Sequence, residues 1–110
     1  MEPAEMEAII RASYAAYAAS DRASLEPLIA GDFTFSSPDD PELDRAGYFE
    51  RCWPNNEHIA AIEIEQLFIE GEEAFVRYRL ERVTGESFRN TEFLRVRDGQ
   101  IVRAEVYYGV

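Results

Sequence analysis

Three stretches in the C-terminal half of the chain alternate apolar and polar residues, and they decide the fold. They are AFVRYRL at residues 74–80, TEFLRVR at 91–97 and RAEVYY at 103–108. Successive side chains of a β-strand point to opposite faces, so such alternation is typical of strands with one buried face. Short glycine-containing turns between them favour antiparallel hairpins. The sequence therefore predicts strands near 59–69, 74–84, 88–97 and 101–108.

The alternation assigns the strand side chains to two faces. The face expected to turn toward the helices carries Val76, Tyr78, Leu80, Glu92, Leu94, Val96, Ala104, Val106 and Tyr108. The opposite face carries Arg77, Arg79, Phe93, Arg95, Arg97, Arg103, Glu105 and Tyr107. Its mixture of charge and aromatic rings suits solvent, an anionic ligand or a partner sheet.

The N-terminal half predicts three helices. Met6, Ile10, Tyr14 and Tyr17 recur at helical spacing, which indicates a first helix over residues 4–19. A second helix is expected at about 24–30, and a third at about 45–53 between a capping Asp44 and Pro54. Between them, residues 33–36 alternate as a strand does, and residues 37–41, with two prolines and two aspartates, predict a loop.

Composition excludes several classes of function. The length of 110 residues fits a single domain over residues 1–110, and the net charge of −11 disfavours nucleic acid and anionic membranes. No lysine is present, which removes Schiff-base chemistry and a phosphate-loop lysine. One cysteine and one histidine predict neither a disulfide nor a histidine-rich metal site, and no cofactor is expected.

The chain also lacks the sequence features of export. No apolar run is long enough to span a membrane, and the acidic residues 1–5 do not resemble a signal peptide. A cytoplasmic location is therefore expected. Abundant alanine and arginine beside the missing lysine indicate a bacterial source.

Three helices followed by a long antiparallel meander resemble the nuclear transport factor 2-like superfamily, and within it the SnoaL-like and ketosteroid isomerase-like proteins. The local matches are residues 17–21, 32–38, 98–101 and 106–109, while residues 48–54 resemble a bacterial subgroup. The resemblance implies an α+β, cystatin-like fold: a curled antiparallel sheet forms a cone, closed by three N-terminal helices. The members include isomerases, cyclases, hydrolases and binding modules, so fold does not settle function.

Glu92 is the sharpest candidate residue, because it is the one carboxylate on an otherwise apolar strand face. Burial would favour its neutral form, which can donate a hydrogen bond to a developing oxyanion. The resemblance places the acid that does this in ketosteroid isomerases at the same position. The alternative is a hydrated or arginine-paired Glu92 at the rim of the sheet.

Ser37 departs from the pattern of the isomerases, which carry their proton-abstracting aspartate there, just before a proline. A serine without an adjacent base cannot abstract an α-proton at neutral pH. Steroid isomerisation by the family route is therefore not expected. Asp39 and Asp40 could act through a water molecule, although a solvated turn is the simpler interpretation.

Two further residues are candidate catalytic groups: Tyr14, on the apolar stripe of the first helix, and His58, the one histidine. Each has a structural alternative, since buried tyrosines usually serve packing and a histidine at a strand start is commonly a surface residue. Cys52 is expected to be a buried hydrophobe. We expect the pocket to be lined by Tyr17, Phe35, Ser37, Trp53, Tyr78, Leu94, Val106 and Tyr108.

Three functions remain open. The first is a small enzyme of isomerase, cyclase or hydrolase type acting on a small apolar oxygenated molecule. The second is a non-catalytic module that binds such a ligand. The third is an interaction protein, and the charged outer face of the sheet predicts a homodimer.

Overall fold

The computed structural model describes residues 2–109, which form one curled sheet covered by short helices. The helices are α1 (Pro3–Ala18), α2 (Arg22–Leu25) and α3 (Arg45–Arg51), and two 3-10 turns span Glu26–Leu28 and Trp53–His58. The strands are β1 (Ile29–Ser37), β2 (Asp40–Asp44), β3 (Ile59–Glu70), β4 (Glu73–Arg82), β5 (Ser87–Arg97) and β6 (Gln100–Tyr108). The α+β fold with an unclosed, curled sheet is confirmed.

The sheet has the order β2-β1-β6-β5-β4-β3. All neighbours pair antiparallel except β1 and β6, which run parallel, so the expectation of a fully antiparallel sheet is corrected at one pair. The parallel pair is possible because α3 and the β3–β5 meander lie between the two strands in the chain. A two-residue turn at Asp98 and Gly99, with φ of 53° and 80°, closes the β5–β6 hairpin as predicted.

The N-terminal elements depart from the sequence prediction in two places. The second helix begins at Arg22 after the capping Asp21, ends at Leu25 and is followed by a 3-10 turn, so that residues 29–30, expected in the helix, lie in β1. The expected loop at 37–41 is a hairpin: Ser37 pairs with Asp40, and Pro41 lies in β2. Proline is tolerated there because β2 is an edge strand. Its free edge has no neighbouring strand that would need a backbone N–H donor at this position.

The core lies between the concave face of the sheet and the helices. As the alternation predicted, Val76, Tyr78, Leu94, Val96 and Ala104 are buried on that face. Met6 and Ile10 of α1 are fully buried, and α1 packs against β3. Asp44 caps α3 through Gly47 N at 2.8 Å, as expected. No helix within the described residues is long and apolar enough to cross a membrane.

Candidate functional site

A cavity of about 620 Å³ lies between the concave face of the sheet and the helices. Its wall includes all three candidate catalytic residues, Tyr14, His58 and Glu92. Seven of the eight expected lining residues are there too: Tyr17, Phe35, Ser37, Tyr78, Leu94, Val106 and Tyr108. Trp53 is the exception. Its ring packs edge-on against Tyr17 at 5.5 Å and lies 6.1 Å from Phe49, so it anchors α3 instead of closing the pocket.

Glu92 projects from β5 into this cavity. On the sheet it lies between Val76 of β4 and Val106 of β6, and the next side chain along the same face is the buried Leu94. The surrounding apolar groups remove water from the carboxyl group and therefore disfavour its charged form. Burial raises the pKa of Glu92 to about 7, although the hydrogen bond from Tyr14 acts in the opposite direction.

Tyr14 brings helix α1 into contact with that carboxyl group. Its hydroxyl donates a hydrogen bond to Glu92 Oε1, and its ring lies 5.2 Å from that of Tyr78. Burial and the neighbouring Glu92 hold the pKa of Tyr14 well above its usual value. Tyr14 therefore stays a neutral hydrogen-bond donor, while Glu92 can take up or release a proton near neutral pH.

Three further tyrosines surround the pair. Tyr17 donates its hydroxyl to the carbonyl oxygen of Cys52 at 2.7 Å, and Tyr78 accepts from Asn90 Nδ2 at 3.3 Å. Burial raises the pKa of both phenols and of Tyr48, and the charge of Glu92 raises each further. The cavity near Glu92 is thus walled by uncharged aromatic hydroxyls.

A second polar group forms where β1 turns into β2. Ser37 Oγ donates to Asp40 Oδ2 at 3.1 Å and accepts from the backbone amides of Asp39 and Asp40 at 3.2 and 3.1 Å. Tyr108 closes the group by donating to Asp39 Oδ2 at 2.7 Å. Asp39 is exposed in the turn itself, Asp40 is half-buried at the start of β2, and both aspartates line the cavity. Ser37 does have an adjacent carboxylate, contrary to the sequence expectation.

His58 and Cys52 lie at positions that do not favour a catalytic role. His58 is exposed at the cavity rim and ends a 3-10 turn instead of beginning β3. Cys52 is buried, as expected, and burial raises the pKa of its thiol to about 11. A thiol that stays protonated is a poor nucleophile. Within residues 2–109, no three His, Cys, Asp or Glu side chains are placed to hold a metal ion.

Sequence reasoning missed Tyr48 and Asn90 as parts of the site. Asn90 precedes Glu92 by two residues on the same strand face and could have been found from that spacing. Tyr48 could not, because its place in the cavity depends on how α3 packs against β1, where its ring meets Phe33 and Phe35 at 5.2 and 5.3 Å.

The architecture is shared with many solved structures. A nuclear transport factor 2-like protein of unknown function from Mesorhizobium loti is 25% identical over 96% of this chain and 92% of its own, with a TM-score of 0.80. AclR, a candidate hydroxylase from Streptomyces galilaeus, is 19% identical over 98% and 91%, with a TM-score of 0.80. A candidate ketosteroid isomerase from Kribbella flavida is 20% identical over 96% and 78%, also with a TM-score of 0.80.

Among curated proteins, none is similar to this sequence. The family model of the SnoaL-like domain matches residues 10–104, which include Tyr14, Ser37 and Glu92. The chain therefore belongs to the SnoaL-like family within the nuclear transport factor 2-like superfamily.

Proposed function

We propose that this chain binds a small, largely apolar, oxygenated molecule in the cone and acts on it as an enzyme of isomerase, cyclase or hydrolase type. The observation that carries the proposal is the Tyr14–Glu92 hydrogen bond inside a cavity of about 620 Å³. Cavities of this size, apolar with a few convergent polar groups, are typical of small-molecule sites. The names of two structural relatives, a candidate hydroxylase and a candidate ketosteroid isomerase, support an enzyme.

In this proposal the protonated Glu92 carboxyl group donates a hydrogen bond to an oxygen of the ligand. With a pKa of about 7, the group is protonated in a large fraction of molecules at neutral pH. When negative charge develops on the ligand oxygen, the hydrogen bond strengthens because apolar side chains flank Glu92. Tyr14 orients the carboxyl group by donating a hydrogen bond to its Oε1 atom.

The proton acceptor would come from the group around Ser37. Asp40 lies next to Ser37 across the β1–β2 pair, and a water molecule or the serine hydroxyl could connect its carboxylate to a ligand. Asp40 also pairs with Arg51 at 3.1 Å, and Asp39 with Tyr108 at 2.7 Å. Because these partners already occupy both carboxylates, they favour a second candidate function, a non-catalytic ligand-binding module.

One experiment separates the two candidates. The probe is 1-tetralone, an apolar ketone with exchangeable α-protons, mixed with the protein in D₂O and followed by NMR. If the chain is catalytic, it should accelerate exchange of the α-protons with solvent. Glu92→Gln and Asp40→Asn should then each reduce the accelerated exchange rate at least tenfold. Glu70→Gln, an exposed residue at the end of β3, is the matched charge control. Binding of 1-tetralone without faster exchange would support the non-catalytic ligand-binding module. No binding of 1-tetralone would contradict both candidate functions.

We further propose that the outer face of the sheet forms a homodimer. Phe68, Phe75 and Phe93 lie side by side across β3, β4 and β5, and Phe68 and Phe75 are 66% and 50% exposed. Exposed apolar rows rimmed by charge are typical of protein interfaces. Flanking pairs such as Arg95–Glu73 and Arg103–Glu105 carry both signs, so two copies of the face can complement each other. Sedimentation should then give about twice the chain mass of 12.6 kDa.

A further inference from the structure

The ionisable side chains around the cavity are predominantly acidic. Four carboxyl groups line it, those of Asp39, Asp40, Glu86 and Glu92, against a single arginine, Arg82. Arg82 is exposed, and its guanidinium lies over the ring of Phe88 at 5.1 Å. With a net charge of −11 for the whole chain, the potential in this cavity attracts cations and repels anions.

The deepest of these carboxyl groups has no cationic partner within residues 2–109. The arginine ion pairs involve other acids, and only Tyr14, at Oε1, donates a hydrogen bond to Glu92. Oε2 is left free for a ligand. An ionised Glu92 in these surroundings is an uncompensated charge, which a positive ligand would stabilise.

The titratable groups whose pKa values are raised by the charge of Glu92 on the packed helices and on β4 are all neutral at pH 7. Helix α1 contributes Tyr14 and Tyr17, α3 and its C-cap contribute Tyr48 and Cys52, and β4 contributes Tyr78. Burial raises the pKa of each of these groups. Their rings remain electron-rich aromatic surfaces, to which a diffuse positive charge is attracted.

We propose that this cavity also binds small organic ammonium ions, with the Glu92 carboxylate pairing with the positive charge and the tyrosine rings contacting the groups on nitrogen. A carboxylate among aromatic side chains recognises alkylated nitrogen, whereas a metal ion needs several oxygen ligands. The inference uses the same cavity as the proposed function but the ionised form of Glu92. Neutral oxygenated ligands and cationic ligands therefore have opposite pH dependences at one site.

The test compares choline with 3,3-dimethylbutan-1-ol, which has the same shape but carbon in place of the charged nitrogen. Dissociation constants come from protein NMR titrations at pH 8. We expect choline to bind at least tenfold more tightly, and the preference to vanish in Glu92→Gln. Glu70→Gln removes the same charge from an exposed site and should keep the preference. Equal affinities for the two compounds in the native chain would overturn the inference.

Two further measurements make the result specific. Lowering the pH from 8 to 5 should weaken choline binding on the order of a hundredfold, because protons then compete for Glu92, whereas binding of the neutral compound should not weaken. Tyr78→Leu should weaken choline more than its isostere, whereas Tyr78→Phe should not. A choline preference that persists in Glu92→Gln or at pH 5 contradicts the inference. If choline fails while 1-tetralone still binds, the proposed function survives and this inference does not.

Discussion

The two faces of the same sheet hold glutamates in opposite settings. On the outer face, Glu65 receives hydrogen bonds from Arg89 at 2.7 and 3.1 Å and lies 3.5 Å from Arg77. On the inner face, Glu92 receives one hydrogen bond from a neutral phenol and meets no arginine within the described residues. The hydrogen bond from Arg89 lowers the pKa of Glu65, while burial raises the pKa of Glu92 to about 7.

The two settings have different consequences for the stability of the fold. An exposed ion pair contributes little, because water already solvates both partners. A carboxyl group that is removed from water without a cation destabilises the fold. An apolar residue in its place between Val76 and Val106 would give a more stable fold. A costly group in a cavity is a functional candidate on physical grounds alone. Substitutions on each face in turn test this difference between the two glutamates.

The largest effect is expected from Glu92→Gln. The pKa of Glu92 is raised on folding, so its contribution to stability is complete below its unfolded value of about 4.5 and is lost as the pH rises through about 7. Above that pH the variant should unfold with a free energy about 3 kcal/mol larger than that of the native chain, and near pH 4 the two should converge. Urea unfolding at pH 4, 6 and 8 measures the difference.

Glu65→Gln is the matched change on the outer face. Since folding lowers the pKa of Glu65, its contribution is present above the unfolded pKa and is lost as the pH falls. The variant should therefore be slightly less stable than the native chain at neutral pH, the opposite sign to Glu92→Gln. A constant difference between Glu92→Gln and the native chain from pH 4 to 8 would show that Glu92 is hydrated, and the contrast between the faces would fail.

An effect smaller than that of Glu92→Gln is expected from Tyr14→Phe. The variant removes the hydrogen bond that stabilises the Glu92 carboxylate, so the pKa of Glu92 should rise above about 7. At pH 8 the loss of stability should be about 1 kcal/mol, as for a typical hydrogen bond. Carboxyl ¹³C NMR titration gives the pKa directly. Tyr17→Phe, whose hydroxyl instead meets the Cys52 carbonyl, is the control and should leave the titration of Glu92 nearly unchanged.

The strand faces were predictable from sequence because side-chain direction in a strand has period two, and this identified Glu92 as an acid among apolar neighbours. The sequence also named Tyr14 as a candidate, but it did not predict the contact between Tyr14 and Glu92. Tyr14 lies 78 residues away, and no local rule places a helix turn over a given strand position. For the same reason the contact between Asp40 and Ser37 was not predicted, although Asp40 was named as a candidate. Prolines and aspartates favour a loop locally, but pairing with β1 made residues 40–44 an edge strand and brought the carboxylate to Ser37.

The smallest effect on folding is expected from Phe75→Thr on the outer face. Phe75 is 50% exposed in the chain, and threonine keeps a high strand preference, so the monomer should lose less than about 0.5 kcal/mol. The proposed dimer should nevertheless dissociate, because Phe75 lies at the centre of the Phe68–Phe75–Phe93 row, 5.4 Å from Phe93. Val83→Thr replaces another exposed apolar side chain, which lies outside the row, and should leave the dimer intact. If sedimentation gave a monomer for the native chain, or a dimer for both variants, the outer face would be a solvated surface and the inner cavity the one functional face of the sheet.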